Sequence, residues 1–127
     1  MRPERTTHSH DDRGQATVEL TLALPVLVVM VLGIVQVVVV VGDRLAVELA
    51  AREAARAASV SADPAGAAGS AATRATGLSP LDVATSVTAD RVTVTVTYRS
   101  PTDVPVLGRL MGDVVVESTA SMRREPP

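Results

Sequence analysis

The residues in this chain that could do chemistry fall at its N-terminal end. His8 and His10 stand either side of Ser9 and run into Asp11 and Asp12, a donor set able to hold a metal ion weakly. A structural metal site needs ligands that converge and are held in place, and nothing in a polar tail holds these, so no metal is assigned. The second place is Gly14 to Glu19, reading GQATVE. Glu19 is the last charged residue before an uncharged stretch, Leu20 to Gly42. An acid at the edge of lipid is expensive unless something uses it.

The rest of the chain offers little to a reaction. With both His residues in the tail, no Ser/His/Asp or Cys/His arrangement assembles in a folded part, and the absence of Cys removes thiol nucleophiles, disulfides and thiolate metal ligands together. There is no Gly-rich phosphate loop and no HExxH. Asp82, Asp90, Asp103, Asp113 and Glu117 fall in or beside expected turns and strand ends, where solvation accounts for them. The chain is therefore expected not to be an enzyme and to need no cofactor. Net charge is -2 and the basic residues are single arginines apart from Arg123 and Arg124, so no stripe follows a phosphate backbone and nucleic acid is not an expected partner.

The element that must position Glu19 is the apolar run behind it. Leu20 to Val41 is 22 residues, about 33 Å as a helix, against a hydrocarbon layer of about 30 Å. A signal peptide would have an apolar core of about 7–15 residues with a small-x-small site close behind. Here Gly42, Asp43 and Arg44 follow directly, and the segment reads as a retained membrane span. Arg2, Arg5 and Arg13 before it are matched by Arg44, Arg52 and Arg56 after it, so the basic residues leave orientation open. Three residues interrupt the run: Pro25, Gly33 and Gln36. Pro25 frees the carbonyl of Thr21 and predicts a kink or local loosening. Gly33 and Gln36 are three apart and share a face. Two readings are open: contact with another transmembrane helix, or a tolerated polar residue.

After Gly42 the helical pattern continues with no breaker. Arg44, Glu48, Arg52 and Arg56 form an i, i+4 charged stripe, and Val47, Ala50, Ala51, Ala54 and Ala58 form a small-residue side. One helix is expected from Gln15 to Ala58, with residues 1–13 as an unstructured tail. Residues 59–80 are either an Ala-rich helix, begun by Asp63-Pro64 and closed by Gly77, or an Ala/Gly/Ser linker. From Leu81 the period changes to two. Val83, Thr85 and Val87 predict a short strand, Ala89-Asp90 a turn, and RVTVTVTYR a second strand with Val92, Val94, Val96 and Tyr98 inward. Val114, Val116, Ser118, Ala120 and Met122 form the inward set of a third. Between them Ser100 to Gly112 is long for a hairpin, and its Val106, Leu107, Leu110 and Met111 predict a short helical turn at the sheet end or a contact with a partner. Three strands with one apolar face need a cover, and the small-residue side of the helix supplies it. The expected fold is α+β: a long N-terminal transmembrane helix continuing outside the membrane, packed by a small three-stranded antiparallel sheet. With a single aromatic, Tyr98, the soluble core must be thin.

The order Gly14, Gln15, then Glu19, then a long apolar helix resembles the processing site of type IV pilins, and the architecture is pilin-like with it. RGQATVELTLALPVLVVMVLGIVQ resembles the N-terminal signature of the TadE-like minor pilins of tight-adherence (Flp) pilus systems. AAREAARAA is similar to their juxtamembrane helix, and VPVLGRLMGDVVVESTASMRRE to their C-terminal end, so the resemblance spans roughly residues 13–125. It implies that a prepilin peptidase cuts between Gly14 and Gln15 and that Glu19 becomes the fifth residue of the mature chain, where a neighbour's new amine neutralises it. This sequence carries Leu20 and Gln15 where relatives often carry aromatics. The resemblance further implies a cytoplasmic leader 1–14, a helix 15–58 spanning the inner membrane at about 20–41, and an exported β domain 81–124. The implied partners are membrane lipid, the peptidase, other pilin-like subunits and the Tad pilus assembly platform. The rival class is an uncleaved single-pass anchor carrying an extracytoplasmic binding module.

Overall fold

The structure, a computed structural model, describes residues 11–102, 108 and 112–124, with side chains from Gly14 onward. The elements in order are α1 (Asp11–Ser59), α2 (Pro64–Ala75), β1 (Leu81–Val87), β2 (Arg91–Ser100) and β3 (Val114–Arg123). The three strands form one antiparallel sheet in the order β1-β2-β3. The class is α+β, as the change of hydrophobic period requires. By contact the chain divides into two units, Met1–Val35 and Gln36–Pro127.

In the first unit the described chain is α1 alone. It begins at Asp11, so residues 11–13, expected in an unstructured tail, already have helical backbone. A formed helix extends at little cost, one hydrogen bond for each residue added. Pro25 lies inside α1 without ending it. The apolar side chains of this section have no protein around them: Leu20, Leu22, Val26 and Met30 are 59–71% exposed. So long an apolar surface does not face water. Among the described residues α1 is the one helix long and apolar enough to cross a membrane.

The second unit is built on an alanine stripe. Val47, Ala50, Ala51, Ala54, Ala55 and Ala58 of α1 are buried against Val92, Val94 and Val96 of β2, with Val116 of β3 and Ala68 and Ala72 of α2. Ala55, outside the expected set, joins it because a helix lying on a sheet buries a broad stripe rather than a line. Val40 packs against the same core, while Val38, Val39 and Val41 of the same turn stay exposed. The strand alternation holds: Val83 pairs with Val96, Val94 with Ala120 and Tyr98 with Val116 on the inner face. On the outer face Thr93 meets Ser121 at 3.1 Å and Thr95 meets Thr119 at 2.9 Å, hydroxyl to hydroxyl. Val87, expected inward, is 44% exposed because it ends its strand beyond the cover.

Between helix and sheet, residues 64–75 are α2 rather than a linker. Asp63 caps it, its Oδ1 accepting from Gly66 N at 3.2 Å, with Pro64 in the first turn where a missing N–H costs nothing. A Cβ at Gly66 would collide with that carboxylate, which is why a helix-weakening glycine stands there. The expected C-terminal cap at Gly77 is not used. The chain leaves α2 through an extended Thr76 (φ -135, ψ 155), and Gly112 is the described glycine with left-handed backbone (φ 65). The apolar residues 106, 107, 110 and 111, predicted to make a helical turn or a partner contact, lie outside the described residues.

Val94 is fully buried at the centre of this layer. Val94→Ala should lower stability by about 2 kcal/mol through lost transfer energy and the cavity left. Ala54→Leu should lower it by roughly 1–3 kcal/mol through overpacking. Chemical denaturation of the full chain in detergent measures both.

Candidate functional site

Gly14, Gln15, Glu19, Pro25 and Gly33 lie on α1 within the first unit, while Gln36 opens the second. Gly14, Gln15 and Glu19 are exposed, and a Cβ at Gly14 would meet nothing within 4 Å. Gln15 and Glu19 are four residues apart in a helix and so lie on one side of it. The Gly14–Gln15 bond is itself helical, whereas a protease needs an extended strand of substrate, so cutting here requires the first turns to unwind. Behind Glu19, Thr21 Oγ1 donates to the Thr17 carbonyl at 2.7 Å, turning one hydroxyl back onto the backbone. Pro25 has no N–H to give the Thr21 carbonyl, which leaves this stretch one helical bond short.

Gly33 is half-buried, and a side chain there would meet nothing within 4 Å, so the position is free for close approach by another helix. Gln36 places its Nε2 out of solvent with no acceptor among the described residues. An amide donor without a partner away from solvent carries a desolvation cost. His8 and His10, with the side chains of Asp11 and Asp12, lie outside the described residues. No group of three or more potential metal-ligating side chains forms among the described residues.

These positions belong to a recognisable segment. Residues 14–56 match the family model of TadE-like protein. The match begins at Gly14, includes Glu19, Pro25, Gly33 and Gln36, and ends at Arg56 in the last turn of α1. The TadE-like match thus falls on α1, about a third of the chain; α2 and the sheet lie beyond it, as does the C-terminal stretch for which a resemblance was expected. No curated protein and no solved structure matches the chain. The described helix that is long and apolar enough to cross a membrane is thus the part of this chain that is similar to TadE-like protein.

One pair between the TadE-like segment and the sheet was not legible in the sequence. Asp43, the first charged residue after the apolar run, accepts a hydrogen bond of 2.5 Å from Ser100 Oγ at the end of β2. Ser100 is fully buried. The two are 57 residues apart, and no local pattern connects them. The bond ties the sheet to the helix where the apolar stretch ends. The ion pair described on this helix is local: Arg52 pairs with Glu48 within one turn, both largely exposed, and contributes little.

Ser100→Ala removes the donor and leaves an Asp43 oxygen partly buried without one. Its expected cost is roughly 1–3 kcal/mol. Thr95→Ala on the outer face should change stability by less than about 0.5 kcal/mol. Equal losses for both in thermal melts of the full chain would contradict this role for the Asp43–Ser100 bond.

Proposed function

We propose that this chain is a minor pilin or pseudopilin of a Tad (Flp) type IV-like pilus, acting as an assembly component and not as an enzyme. The observation that carries the reading is the TadE-like match over an unsheathed apolar helix, starting at the residue where a pilin leader would end. In this reading the chain waits in the cytoplasmic membrane with its N-terminus inside and its sheet exported. A prepilin peptidase unwinds the first turns of α1 and cuts after Gly14.

Cleavage would leave an α-amino group on Gln15. Within lipid, that amine on one subunit neutralises Glu19 of another, and the distance over which two charges can pair fixes their relative depth. Glu19 then acts as a register mark rather than a reagent. Pro25, Gly33 and Gln36 form the contact side of the span, with Gly33 permitting approach and the Gln36 amide meeting an acceptor on a neighbouring helix. The partners are membrane lipid, the peptidase, other pilin-like subunits and the pilus assembly platform.

The helical state of the Gly14–Gln15 bond favours one rival: an uncleaved anchor whose sheet is a binding module. Intact-mass measurement on protein from native membranes separates them. A mature chain beginning at Gln15 is expected; one that retains residues 1–14 sinks the pilin reading. Glu19→Ala is expected to insert normally and to lower surface pilus yield at least about tenfold, the size of effect that a lost charge pairing of about 1.4 kcal/mol would give. Normal pili in that variant would count against the register role.

A further inference from the structure

The arginines of this chain look scattered in sequence, but the sheet register gathers three of them. Arg91, the first residue of β2, lies directly opposite Arg123, the last of β3, and Arg124 follows in sequence. Arg91 and Arg123 are both exposed and both on the outer face, one row beyond the Thr93–Ser121 hydroxyl pair. Like charges directly opposite on neighbouring strands repel, where an opposite pair or two hydroxyls would attract. The three rows next to them are hydroxyl–hydroxyl or hydroxyl–carboxylate.

Nothing among the described residues neutralises this pair. The described ion pair is Glu48–Arg52, on α1. Asp90 is adjacent but forms no described ion pair with either arginine, and its carbonyl accepts from Arg124 N at 2.9 Å. The turn that presents Arg91 is held from both sides, since Thr88 donates to the Arg91 carbonyl from N at 2.8 Å and from Oγ1 at 3.0 Å. The three guanidiniums therefore sit on backbone that is already ordered. Arg91 stands at the opposite end of β2 from Ser100, about 30 Å away by the strand rise, and so far from the Asp43 tie.

We propose that Arg91 and Arg123, with Arg124 next in sequence, form a binding site for a phosphate oxyanion in which the two opposed guanidiniums hold the ligand. Guanidinium forks match phosphate oxygens two at a time, and one bridging oxyanion converts the repulsion between strands into two charge-assisted pairs. The site belongs to the sheet and does not depend on pilus assembly or on cleavage at Gly14. It is a tip-facing contact for phosphate carried by a soluble molecule or by the headgroup of a second membrane.

The distinguishing signature is opposite signs for stability and binding. Arg123→Thr and Arg91→Thr, each extending the hydroxyl rows, are expected to raise the melting temperature of the ligand-free full chain in phosphatidylcholine nanodiscs and to abolish its response to tripolyphosphate. The natural chain should gain roughly 5 °C at a ligand concentration about ten times Kd. Arg56→Thr, with the same change in net charge on α1, should keep that gain. Arg91→Lys keeps the charge but not the fork, and should weaken tripolyphosphate binding about tenfold in calorimetry.

A second arm adds phosphatidylglycerol vesicles to the nanodiscs. Co-sedimentation that Arg123→Thr removes assigns the phosphate to a lipid headgroup, and a tripolyphosphate response without co-sedimentation assigns it to a soluble molecule. The proposal is overturned if neither probe binds, if the Arg123→Thr response equals that of the natural chain, if Arg56→Thr loses the response equally, or if both threonine variants are destabilised without ligand.

Discussion

The contact on which the soluble part depends is a face of alanines laid on a face of valines. Ala50, Ala51, Ala54, Ala55 and Ala58 of α1 are buried in one cluster with Val92, Val94 and Val96 of β2. With one tyrosine and no phenylalanine or tryptophan, the core has no large side chain with which to bridge a wider gap. Close approach is the only way such a layer can bury enough apolar surface, because each alanine contributes little alone. The same need explains α2, whose Ala68 and Ala72 extend the cover, and the glycine at 66 that leaves room for its cap.

One helix therefore carries two kinds of apolar surface with different partners. Leucine and valine side chains before Gln36 have no protein cover and require lipid or other helices, while small residues from Val47 onward require the sheet. Val40, Asp43 and Ser100 mark where one regime gives way to the other. A charged residue at that point is useful because its bond to Ser100 is available only when the sheet is seated. The TadE-like match ends at Arg56, within the alanine section, so the family pattern records the helix together with the surface that receives a domain, but not the domain itself.

The outer face of the sheet follows a different logic. Its centre is a ladder of small hydroxyls that satisfy one another across the strands, which leaves little to offer a partner. Its end carries two opposed arginines, a local conflict in an otherwise consistent sheet, and such conflicts tend to mark sites kept for something other than stability.

Periodicity alone determined much of this protein. A 22-residue uncharged run can only cross a membrane as a helix, since lipid satisfies no backbone group. The alternation in RVTVTVTYR sends Val92, Val94 and Val96 to one face because strand side chains alternate. Asp63-Pro64 marked the start of α2 because cap chemistry is local, while the choice between helix and linker after it depended on burial of Ala68, Ala71 and Ala72 against other elements. Only the tertiary structure decided that Asp43 meets Ser100, that Val40 joins the soluble core, that the Gly14–Gln15 bond is helical and that Arg91 faces Arg123. Three of these are long-range pairings whose partners are far apart in sequence, set by how the strands register and how the helix lies on them. Local spacing carries no record of register, because a strand slipped by two residues presents the same face with different neighbours.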